Sequence, residues 1–177
     1  GRFLHGLKEG VVYAVGFPPI REIILLLGLI SLVGMPYSVL MPVFAKDILG
    51  GGAHTLGFLS GATGVGALLG ALYLASRNSV VGLGKVIAMS GALFGAGLVA
   101  FSLSSNVWLS LILMLPTGLG MMLEMAASNT VLQTIVDDDK RGRVMSFYAM
   151  AFMGTAPFGS LIAGAAASHI GAPNTLL

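Results

Sequence analysis

Between Val107 and Val136 the chain runs for 30 residues with a single charged side chain, Glu124. As an α-helix rising about 1.5 Å per residue, such a run can cross a hydrocarbon core of about 30 Å. In lipid every backbone amide and carbonyl must be satisfied within the protein, which leaves only helices and closed barrels as spanning structures. The run ends in Asp137-Asp138-Asp139-Lys140-Arg141-Gly142-Arg143, so seven of the chain's sixteen charged residues lie in or beside this segment. A lone acid in hydrocarbon and a dense charge cluster at the membrane edge are separate features, and each needs its own explanation.

Composition places the whole chain in the same setting. Charged residues make up 9% of it, against about 25% in an average soluble domain. Hydrophobic residues are 56% and the mean hydropathy is +0.94, which points to an integral membrane protein. Without cysteine there is neither disulfide nor thiol chemistry. A net charge of +2, spread along the chain, does not suggest nucleic acid. No signal-peptide pattern follows Gly1, and the chain reads as a piece of something longer.

From the N-terminus, residues 1–22 mix charge with apolar residues, as in a cytoplasmic amphipathic linker lying at the membrane surface and stopped by Pro18-Pro19. Spans are expected at about 23–45, 56–76, 86–103, 107–136 and 144–168, with a further helix starting at 173–177. Pro36 and Pro42 should kink the first span, and Pro157 with Gly159 should interrupt the fifth. Gly50-Gly51-Gly52 makes a turn. Helix-packing pairs of the GxxxG type are Gly57/Gly61, Gly66/Gly70 and Gly91/Gly95. The third span carries no ionisable group and reads as peripheral or purely structural. Trp108 is placed as an interfacial anchor.

Five spans give alternating loops. Arg2, Lys8, Arg21, Arg77, Lys85, Lys140, Arg141 and Arg143 fall on the N-terminal side, and only Lys46 falls on the other. The positive-inside rule then makes the N-terminal end and the charge cluster cytoplasmic. An odd number of spans with a cut-off sixth suggests half of a larger bundle.

Several stretches resemble a known family. Leu7-Lys8-Glu9-Gly10 with Tyr13, then Ile20-Arg21, then Leu40-Met41-Pro42-Val43-Phe44-Ala45 before Ile48-Leu49-Gly50, is similar to the start of the C-terminal half of a major facilitator superfamily exporter. Asn129-Thr130-Val131-Leu132-Gln133 and Asp139-Lys140-Arg141-Gly142-Arg143-Val144-Met145-Ser146 extend the match. More narrowly the chain resembles the siderophore- and macrolide-exporting branch, the transmembrane secretion effectors. The resemblance covers essentially the whole chain. It implies an all-α integral membrane fold, with five transmembrane helices corresponding to seven to eleven of twelve in a C-terminal bundle. One departure stands out: the superfamily's cytoplasmic signature has an Asp near a Gly-Arg pair, whereas the turn from Arg77 to Lys85 has no acid.

Such transporters rock two helical bundles about a midplane site. Glu124 lies near the middle of its span, where a charged group costs about 2.5–3.5 kcal/mol on the gentlest scale. Protonation removes the charge, so a carboxyl that must gain or lose a proton is a simple coupling device. The alternative is a permanently protonated acid that hydrogen-bonds a neighbouring helix. Ser128 lies one turn from Glu124 on a neighbouring face. Asn129 and Gln133, spaced i and i+4, share a face of their own and are either substrate contacts or interhelix glue. Glu124 and Gln133 point opposite ways at about 100° per residue, so an unbent helix cannot aim both into one narrow cavity. Tyr37 of the first span joins these residues as a substrate or coupling candidate.

The charge cluster is either ordinary helix-end charge or, as the resemblance implies, a cytoplasmic gate. The gate set is Asp137, Asp138, Asp139, Arg141, Arg143 and Arg77, with Arg141 and Arg143 foremost. Met114, Met121, Met122 and Met125 suit either packing or an adaptable apolar pocket. Pro157-Phe158-Gly159 is loosely similar to an antiporter signature of the family. His5, His54 and His169 are far apart in sequence, with no metal-ligand spacing. No phosphate loop, nucleophile elbow or carboxylate pair occurs, so neither ATP-driven transport nor an enzyme is indicated, and no cofactor is expected.

The reading is a secondary exporter of a bulky amphipathic compound, proton-coupled, multi-pass in a bacterial cytoplasmic (inner) membrane. Its expected partners are the small-molecule substrate, protons, the bilayer and a missing N-terminal six-helix half of the same chain. Two rivals stand beside it: a non-transporting membrane scaffold or assembly protein, and a facilitator importing another solute.

Overall fold

The computed structural model describes residues 2–177, with side chains from Lys8 onward. The described residues form helices and turns in the order α1 (Arg2–Gly16), α2 (Pro18–Leu29), α3 (Tyr37–Val43), α4 (Ala53–Ala75), α5 (Leu83–Ser102), α6 (Val107–Ile135), α7 (Asp138–Ala149), α8 (Ala156–Ile170) and α9 (Ala172–Leu176). Three wider π-helical turns, Ile30–Gly34, Phe44–Ile48 and Met150–Gly154, continue α2, α3 and α7. Joined through these turns, five stretches are long and apolar enough to cross a membrane: Pro18–Ile48, Ala53–Ala75, Leu83–Ser102, Val107–Ile135 and Asp138–Ile170.

The boundaries follow from local chemistry. Pro18 and Pro19 occupy the first turn of α2, where a missing amide costs nothing. Gly82, at φ 83°, caps the start of α5 in the left-handed region that a side chain would resist. At the start of α6 the Asn106 side chain accepts from the amides of Trp108 (2.9 Å) and Leu109 (3.2 Å). Trp108 itself is 76% exposed at that end of α6.

Helix α6 is the axis of the bundle, with α4 and α5 packed along it. Glycines allow both approaches. Gly66 of α4 lies against the Leu115 carbonyl, and Gly118 of α6 lies against the Thr63 carbonyl. Two residues further on, Gly120 turns the other way and meets the α5 backbone at Ser90 and Phe94. The third span is therefore a direct packing partner of the charged one.

The apolar interior falls into two clusters. One joins Tyr37, Phe44, Leu59, Phe94, Phe101 and Met114, with the Phe44 and Phe101 rings 4.7 Å apart. The other joins Ala14, Ile20, Ile87, Ala127, Leu132 and Val144 toward the N-terminal end of the bundle. On α6, Met114 belongs to the first and Ala127 to the second, and Glu124 falls between them. On α5, Ser90 and Gly91 fall between Phe94 and Ile87 in the same way. Ser31, Ser90, Glu124 and Ser128 are all buried, and of these Ser90 and Glu124 make a thin polar layer between the two clusters, with Ser128 bonded to Glu124.

Candidate functional site

Glu124 follows Gly120 by one helical turn and so shares its face toward α5. The side chain is fully buried. Its Oε1 accepts a hydrogen bond from the Ser128 hydroxyl at 3.2 Å, while Oε2 has no partner among the described residues. Gly91 makes room for it: a methyl built there would lie 3.9 Å from Glu124 Cγ and 3.5 Å from Ile30 Cδ1. The acid is thus enclosed by the first, third and fourth spans.

Asn129 and Gln133 stand on another side of α6, joined by a bond of 2.5 Å from Gln133 Nε2 to Asn129 Oδ1. Gln133 is exposed and Asn129 half-buried. The helix runs unbroken from Val107 to Ile135, so the opposition between Glu124 and Gln133 expected from helical spacing is realised. Tyr148 of α7 stands between the two sets. Its hydroxyl donates to the Met125 carbonyl at 3.0 Å, one residue along α6 from Glu124 and one turn before Asn129. Sequence reasoning passed over Tyr148, and a tyrosine within an otherwise apolar stretch was the available signal.

Tyr37 sits on the far side of the polar layer. It is buried, with its ring edge-on to Phe94 at 6.0 Å and its hydroxyl 3.9 Å from Met121 Sδ. It borders a cleft of about 340 Å³ between the first and second spans, together with Ser38, Met41 and Ser60. The candidates therefore form no single constellation: Glu124 with Ser128 is one group, Asn129 with Gln133 a second, and Tyr37 lies apart.

At the cluster end, two ion pairs are local: Lys140–Asp139 at 2.8 Å and Arg141–Asp138 at 2.5 Å. A third joins distant elements, with Arg143 Nη1 2.9 Å from Glu9 Oε2 on α1. The Tyr13 hydroxyl donates to Asp137 Oδ2 at 3.1 Å and accepts from the Asp137 amide at 3.3 Å. Gly10 permits this docking, since a methyl there would lie 3.1 Å from the Phe147 ring. The charge cluster thus holds α1 through Glu9 and Tyr13, which share one face of that helix at i and i+4. That spacing was readable, but its partner was not. Arg77 is elsewhere, donating to Tyr73 Oη (3.0 Å) and the Val81 carbonyl (2.7 Å) in the turn between α4 and α5. His54 and His169 are exposed, and the His5 side chain lies outside the described residues.

Spanning helices packed around a buried acid define a multi-pass helical membrane protein with the build of a transporter. The family model described as transmembrane secretion effector, a major facilitator group, matches residues 1–177, and the chain belongs to that family. No curated protein and no solved structure matches it.

Proposed function

We propose that this chain forms part of a secondary exporter that moves a bulky amphipathic small molecule, siderophore-like or drug-like, against an inward flow of protons. The observation that carries the proposal is Glu124, fully buried in the bundle with one carboxyl oxygen held by Ser128 and the other without a partner among the described residues. A charge fixed at that depth would be expensive, and a structural acid would be expected to bond through both oxygens. A carboxyl that takes up a proton in one orientation of the bundle and gives it up in the other avoids a lasting cost.

Substrate meets the opposite side of the same helix. Asn129 and Gln133 offer amide donors and acceptors, and the methionines beside them offer an adaptable apolar wall. Proton and substrate therefore need not compete for one pocket. The rigid α6, with Tyr148 bonded to its Met125 carbonyl, carries the coupling between them. In this reading the N-terminal end is cytoplasmic, the membrane is the bacterial inner one, and the Glu9–Arg143 and Tyr13–Asp137 contacts close the cytoplasmic end.

Replacing Glu124 with Gln in the full-length protein, reconstituted in proteoliposomes under an imposed pH gradient, tests this. The expected result is normal membrane insertion with loss of gradient-driven efflux. Unchanged efflux would remove the acid from the mechanism, and failure to insert would give it the structural role of a scaffold.

A further inference from the structure

A groove of about 340 Å³ runs where α1, α2 and the α7 end of the fifth span come together. Its walls are Val15, Ile24, Leu25, Phe147 and Met150, and its one charged wall residue is Arg21. The guanidinium of Arg21 has neither a hydrogen bond nor an ion pair among the described residues, and the residue is exposed. Lys8 lies three residues before Val11, another wall residue, and so extends the same stripe of α1 by one turn toward the chain's start. The acids nearby are turned elsewhere: Glu9 is paired with Arg143, and Glu22 borders a different groove against α5.

We propose that this groove seats an anionic phospholipid from the leaflet at the α1 end of the bundle, with its phosphate on Arg21 and an acyl chain along the apolar walls. The two halves of the groove match the two halves of such a molecule. A planar guanidinium binds a phosphate through paired N–H donors. The hydrocarbon walls at the membrane boundary are suited to an acyl chain and offer a water-soluble phosphate nothing further. The lipid would also fill the angle between α1 and the first span, fixing the surface helix from the side that Glu9 and Tyr13 do not reach.

The test uses the full-length protein purified in mild detergent, with native mass spectrometry reading retention of added phosphatidylglycerol and phosphatidylcholine. Phosphatidylglycerol should be retained preferentially. Arg21→Gln should weaken that preference roughly tenfold, the loss of one charge-assisted contact. Val15→Trp, which fills the groove from an exposed position, should lower retention of both lipids, and Glu22→Gln should leave both unchanged. Equal retention of phosphatidylglycerol by the parent and Arg21→Gln would overturn the proposal. So would undiminished retention by Val15→Trp, or displacement of the lipid by inorganic phosphate alone.

Discussion

Gly118 and Gly61 are both glycines inside spanning helices, yet they stand in opposite surroundings. A methyl on Gly118 would overlap the Thr63 carbonyl, which is backbone and cannot swing aside, whereas nothing lies within 4 Å of one on Gly61. Gly118→Ala should therefore destabilise the bundle by about 1–3 kcal/mol through forced separation of α4 and α6. Gly61→Ala should change stability by less than about 0.5 kcal/mol or raise it slightly, alanine being the better helix former. Denaturant unfolding in mixed micelles checks both, and equal losses would mean that the close approach does not govern packing. The spacing of small residues was legible in the sequence, but which face is covered was not. Gly66/Gly70 packs against α6 at both positions, while Gly57, Gly61 and Gly95 meet open space. The Gly118 and Gly120 contacts fit no GxxxG pattern, because they serve two different neighbours. Glu124 was legible for a simpler reason: one carboxyl in a long apolar run has few ways to be accommodated.

The irregular turns show the same limit among elements. Prolines marked the first and fifth spans as broken, and π-helical turns lie just before Pro36 and Pro157. Their meeting could not be read from either span alone. The Ser31 hydroxyl donates to the Phe152 carbonyl across the gap, and Thr155 Oγ1 reaches the Gly28 carbonyl at 3.4 Å as well as its own Ala151 carbonyl at 2.6 Å. Gly159 lies against the Leu32 carbonyl, to which Pro36 can offer no amide. Two weakened helices thus complete each other's hydrogen bonding where they meet. Ser31→Ala should cost about 1–3 kcal/mol, because it strips the Phe152 carbonyl of this donor inside the bundle. Ser38→Ala should cost less than about 0.5 kcal/mol, since that exposed hydroxyl only returns to its own turn at Met35 (2.9 Å). The same unfolding assay reads the difference, and equal effects would mean that the cross-span bond carries no weight.

For the whole molecule, the spans and the fold class were open to reading because lipid leaves so few backbone solutions. The site was only half open, because partners such as Glu9 for Arg143 and Tyr13 for Asp137 come from distant parts of the chain. Orientation is the property at this scale that every functional proposal uses. The Tyr13–Asp137 contact puts the last turn of α1 and the α6–α7 turn at one end of the bundle, and the basic residues of that end predict that it faces the cytoplasm. These 177 residues carry no cysteine, so once any cysteine elsewhere in the full-length protein is replaced by serine, a single cysteine introduced here reports without background. Ser105→Cys, in the turn before α6, should react with a membrane-impermeant maleimide on intact cells. Ser79→Cys, in the turn between α4 and α5, should react only after the cells are opened. The reverse pattern would put the charge cluster outside and make its contacts with α1 an outer closure. The proton would then have to leave Glu124 toward the opposite face, and coupled export would require the direction of the cycle to be redrawn.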